Sequence, residues 1–141
     1  MAEDLAVANV NRSYSLAGTS IAIFTFMLIF LYPRFAGGEV GVVPFETALI
    51  VMGVATFSFV FASFYYYCAS LAGRFDDAER SVLSRRADRF WLLGYTLLFL
   101  DPSVILFAVN LLVPAAAWFM LWLVYLVVVI RYFPRIQARR A

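Results

Sequence analysis

The stretch from Phe90 to Ile130 reads FWLLGYTLLFLDPSVILFAVNLLVPAAAWFMLWLVYLVVVI and holds one charged residue, Asp101, in 41 positions. A membrane-spanning helix needs about 20 mostly apolar residues, so this run contains two spans and must fold back once. A break at Asp101-Pro102 would leave 11 residues on its first side, about 16 Å of helix and too short to cross. A break at Val113-Pro114 leaves two segments of sufficient length and puts Pro114 where a helix favours proline, at its first position. The turn is therefore expected there, and Asp101 falls near the middle of the third span. Phe90–Val113 holds 15 Leu, Ile, Phe and Val residues. Together these favour insertion by roughly 7 kcal/mol, against a cost of about 3 kcal/mol for a central Asp.

Working outward, Ser13 to Pro33 and Thr47 to Gly73 are also free of charge, and Pro33 with Gly37-Gly38 ends the first of them. The expected fold is all-α: an integral membrane four-helix bundle with short outer loops and a longer second loop. Its helices are expected near 14–35, 46–72, 77–112 with a kink near 101, and 115–134, in one domain spanning 1–141. The longest polar piece, Phe75 to Asp88, is expected to wind as an extension of the third helix, because Asp76 and Asp77 precede Arg80 at helical spacing. Composition agrees with a membrane chain. At 65% hydrophobic and 14% charged, it departs from the roughly 45–50% and 25% of soluble domains, and it is far from the apolar-poor composition of disordered chains.

The residue inventory narrows the chemistry. There is no His and a single cysteine, Cys68, so no intrachain disulfide can form and no metal or cofactor is expected. A histidine base or triad is equally absent. The net charge of +2 and the lack of a Gly-rich phosphate loop argue against a nucleic-acid partner. The start, Met1-Ala-Glu-Asp-Leu, is acidic where a signal peptide is basic, so the first apolar segment is expected to persist.

Orientation follows from arginine. Arg12, Arg74, Arg80, Arg85, Arg86, Arg89, Arg131, Arg135, Arg139 and Arg140 fall on the side of the termini and second loop, and Arg34 alone falls on the other. The excess places both termini in the cytoplasm, most simply across a bacterial cytoplasmic membrane. Aromatic residues suit the same frame, with Tyr32 and Trp118 at the outer interface and Tyr65, Tyr66, Tyr67, Trp91 and Tyr132 at the inner one.

Asp101 is the candidate site, since an acid at membrane depth is costly and marks function by default. Asp followed by Pro102 is also a helix-start signature, so the third helix is expected to kink or restart there; the plainer alternative is an acid that only bonds nearby backbone. Span midpoints fall near Thr25, Ser58, Asp101 and Tyr125, which suggests a polar layer able to hold a proton or cation. A coincidence of span hydroxyls bonding their own helices is the competing explanation. Ala48, Ala55, Ala62 and Ala69 recur every seven residues, a seam suited to close helix packing, while Gly94 and Ala108 flank Asp101 at the same interval. Arg85, Arg86, Arg89, Arg131 and Arg135 are candidates for anionic lipid headgroups. The functional expectation is a non-catalytic accessory or scaffold module, in a homo-oligomer or with a membrane-protein partner. The alternative is a proton or cation channel or transporter subunit built around Asp101.

Overall fold

The structure, a computed structural model, describes residues 2–71 and 74–138, with side chains described for 7–71 and 74–132. It consists of α1 (Ala2–Phe30), a five-residue α2 (Tyr32–Ala36), α3 (Val42–Ser70), α4 (Asp77–Ala108) and α5 (Leu112–Ala138). Four segments are long and apolar enough to cross a membrane: Val7–Ala36, Val42–Ser70, Asp77–Ala108 and Leu112–Tyr132. The protein is thus a polytopic four-helix membrane bundle, and successive long helices run antiparallel.

Small side chains set the packing of α3 on α4. Ala48, Ala55 and Ala62 are fully buried and Ala69 nearly so. Their counterparts on α4 are Ala87, Gly94, Asp101 and Ala108, also seven apart and all buried. Two seven-residue rows of small side chains let the backbones approach, and van der Waals packing gains most from that approach where the surroundings are themselves apolar. The register is read from three contacts: Ala62 and Tyr66 against Ala87, the Phe59 ring against Gly94, and Phe45 against Ala108. Asp101 therefore occupies one position of a row otherwise made of Ala and Gly.

Of the other two long helices, α1 packs on α3 and α5 packs on α4. On α1 the buried stripe is Ser13, Ala17, Ser20 and Met27. Ser13 and Ser20 donate to the carbonyls of Asn9 and Leu16 at 2.8 and 2.9 Å, so each hydroxyl is satisfied within α1 and presents little more than a methylene to α3. α5 packs on α4 through Ala115, and the Ser103 hydroxyl donates to the Ala115 carbonyl at 3.0 Å. The remaining described face of α5 is exposed apolar surface, including Met120, Leu121, Val124, Val127 and Ile130, as lipid contact requires.

Helix ends depart from the sequence reading at the first, third and fourth spans, while the start of the third span at Asp77 agrees with it. The first helix begins at Ala2 rather than near 14, because the charge at Arg12 marks a change of solvent and not a break: its guanidinium lies 4.9 Å from the Trp91 ring centre. The polar piece after residue 76 is helix, opened by a reciprocal cap in which Asp76 accepts from the Glu79 N–H at 2.7 Å and Glu79 accepts from the Asp76 N–H at 3.2 Å. The third long helix stops at Ala108, not 112. Asn110 adopts the left-handed conformation with φ 61°; its N–H donates to Phe107 O, and the Leu111 N–H donates to Leu106 O. That pair of bonds is a Schellman end with Asn in the place glycine usually takes, so α5 begins at Leu112, ahead of Pro114.

Candidate functional site

Asp101 is completely buried, and among the described residues neither carboxyl oxygen has a hydrogen-bond partner. Its register in the small-residue row turns it inward, toward α3. It borders a cavity of about 290 Å³ to which all four long helices contribute: Ile23 from α1, Met52 from α3, Leu98, Pro102, Ile105 and Leu106 from α4, and Trp118 from α5. Among the described residues no basic side chain lines that space. Leaving a buried polar group unpaired costs about 1–3 kcal/mol, and more if it is charged. So Asp101 is a net cost to this fold, in contrast to the self-satisfied serines of α1.

The restart expected at Asp101-Pro102 does not occur. α4 runs as α-helix from Asp77 through Pro102 to Ala108, and the Asp101 carboxyl caps nothing. Pro102 has no N–H to give, so the carbonyl of Leu98 loses its partner within the helix. The indoles of α5 reinforce the same turns. Trp118 Nε1 donates to Phe99 O and Trp122 Nε1 to Thr96 O, each at 2.9 Å. Two donors from a neighbouring helix, aimed at carbonyls on either side of Leu98, brace α4 where proline weakens its own ladder.

The four-residue polar layer is not assembled within one chain. Thr25 is exposed on the outer face of α1. Ser58 is buried but donates to the Val54 carbonyl at 2.7 Å, and Met52 is the α3 residue that reaches the Asp101 cavity. Tyr125 packs tilted against Phe99 with ring centres 5.3 Å apart, has its hydroxyl at the Thr96 side chain, and borders a separate cleft of about 210 Å³ with Trp118 and Trp122. Thr25 is two residues from Ile23, which lines the Asp101 cavity, so it misses the layer by facing outward rather than by its level along the helix. Asp101 lies only seven residues before the last residue of α4, about 10 Å of helix.

Trp118 is the residue that sequence reading assigned differently, as an interface anchor. Its spacing of four from Trp122 puts two indole donors on one face, the signal that could have placed it against α4. The arginine candidates divide. Arg85, Arg86, Arg89 and Arg131 are exposed, and the side chain of Arg135 lies outside the described residues. Among the described residues no three of His, Cys, Asp and Glu gather into a metal-binding group. The chain matches no family model, no curated protein and no solved structure at a significant level.

Proposed function

We propose that the protein is a non-catalytic accessory or scaffold module of a bacterial cytoplasmic membrane, with both termini cytoplasmic, acting in a homo-oligomer or beside a membrane-protein partner. The observation that carries this reading is the lining of the Asp101 cavity. Every other residue around it is apolar, proline or the ring of Trp118, so a single chain offers the acid no succession of polar groups leading to either surface. Transport along a protein interior needs such a succession. The Arg-rich end, which includes the start of α4 and the exposed Arg131, supplies the positive bias for the orientation.

A second reading is favoured by one specific feature. Among the described residues both oxygens of Asp101 lie partnerless beside a cavity built from four helices, the arrangement of a proton- or cation-binding acid whose route is completed by another copy. Reconstituted vesicles separate the two. The module reading expects equal proton and sodium flux for wild type and Asp101→Asn, both at the level of empty vesicles. Flux in wild type that is lost in Asp101→Asn, with expression and helicity unchanged, would overturn it in favour of the translocator.

A further inference from the structure

The cleft between α3 and α4 at the Arg-rich end has a polarity gradient along the helix axis. It is lined by Tyr65 from α3 and by Arg86, Arg89, Phe90 and Leu93 from α4, and is open, with a volume of about 390 Å³. Tyr65 and Phe90 stack nearly parallel, ring centres 5.6 Å apart and planes 12° from each other, which makes a flat aromatic wall. Arg86 and Arg89 are one helical turn apart, so their side chains share a face. Among the described residues neither guanidinium is engaged by a hydrogen bond or ion pair. Their neighbours are committed elsewhere: Arg80 Nε donates to Ala69 O at 3.0 Å, and Arg85 donates to Ser81. Arg89 is also the last charge before the uncharged run that starts at Phe90, so the cleft straddles the depth where headgroup gives way to hydrocarbon.

We propose that this cleft holds one anionic phospholipid, its phosphodiester bridged by the guanidinia of Arg86 and Arg89 and one acyl chain lying over Phe90 and Leu93. Planar guanidinium forks match phosphate oxygens in pairs. From Arg86 to Leu93 is seven residues, about 10 Å along the helix and enough to span a headgroup and the first methylenes of a chain. The site excludes Arg85 from the headgroup role and is independent of what Asp101 does.

Native mass spectrometry of the full chain in neutral detergent tests it, titrating phosphatidylglycerol, phosphatidylcholine of the same acyl chains, and soluble glycerol phosphate. The expected result is phosphatidylglycerol binding about tenfold or more tighter than phosphatidylcholine, abolished in Arg86→Gln/Arg89→Gln. It is retained in Arg85→Gln/Arg131→Gln, which removes the same charge from exposed positions. Leu93→Gln weakens the lipid, and circular dichroism checks that each variant keeps its helices. Equal loss in the two double variants would overturn the proposal in favour of diffuse charge. Equal binding of the two lipids, or glycerol phosphate binding as tightly as the lipid, would overturn it as well.

Discussion

Adding one methyl group at Gly94 tests whether close approach of α3 and α4 holds this bundle together. A Cβ built there would lie 2.9 Å from Phe59 Cε1 and 3.0 Å from both Cδ1 and Cζ, where carbon atoms normally rest about 3.5–4.0 Å apart. The ring must therefore retreat by about half an ångström or more. It has little room, being fully buried and set edge-on against Tyr95 at 6.0 Å. Overpacking of this kind costs about 1–3 kcal/mol, while replacing a helical glycine by alanine returns about 0.5–1 kcal/mol. Gly94→Ala is accordingly expected to destabilise by about 1 kcal/mol. Gly53→Ala is the control, because its Cβ would meet nothing within 4 Å, and it should be neutral or mildly stabilising. Reversible unfolding by sodium dodecyl sulfate in mixed micelles, followed by circular dichroism, compares the two. Shrinking the ring with Phe59→Leu in the Gly94→Ala background should recover part of the loss, a coupling that a double-mutant cycle isolates. If Gly94→Ala proves as stable as Gly53→Ala, the close seam is not what packs these helices.

Two further perturbations address the ends and braces of α4. Asn110→Val forces a β-branched side chain into the left-handed conformation and is expected to cost about 1–2 kcal/mol, whereas Asn110→Gly should be tolerated; the same unfolding assay reads both. Trp118→Phe keeps an aromatic ring but removes the donor to Phe99 O, so a loss of about 1 kcal/mol is expected. Amide hydrogen exchange in it should quicken around residues 96–103, and unchanged protection there would dismiss the bracing role.

What the sequence exposed and what it hid divide along physical lines. The spans were legible because a bilayer imposes a length on any apolar run, and Ala48, Ala55 and Ala62 announced the buried face of α3 through spacing alone. The inward direction of Asp101 followed from Gly94 and Ala108 lying seven residues to either side. The end of α4 was obscured because the surrounding residues, Val109 and Leu111–Val113, are as apolar as those inside the helix, and only Asn110 departs from them. Facing was hidden as well: Thr25 lies two residues from Ile23 at the cavity yet is exposed, because the level of a residue along a span does not fix which side of the helix it occupies. The cavity itself could not be read from any one helix. Ile23, Met52 and Trp118 become neighbours of Asp101 only through three separate helix registers.

Asp101, buried and without a partner among the described residues, is where the bundle is tested most directly. In a Cys68→Ala background, Asp101→Cys is reconstituted in sealed vesicles and treated from each side with a charged, membrane-impermeant methanethiosulfonate reagent. Glu39→Cys, at an exposed loop position, serves as the reactive reference. An acid enclosed by Ile23, Met52, Leu98 and Trp118 implies that the cysteine at position 101 stays unlabelled from both sides while the one at 39 reacts. Labelling at position 101 at a rate close to that at 39, from either side, would reveal an aqueous route to this position and contradict the enclosed bundle.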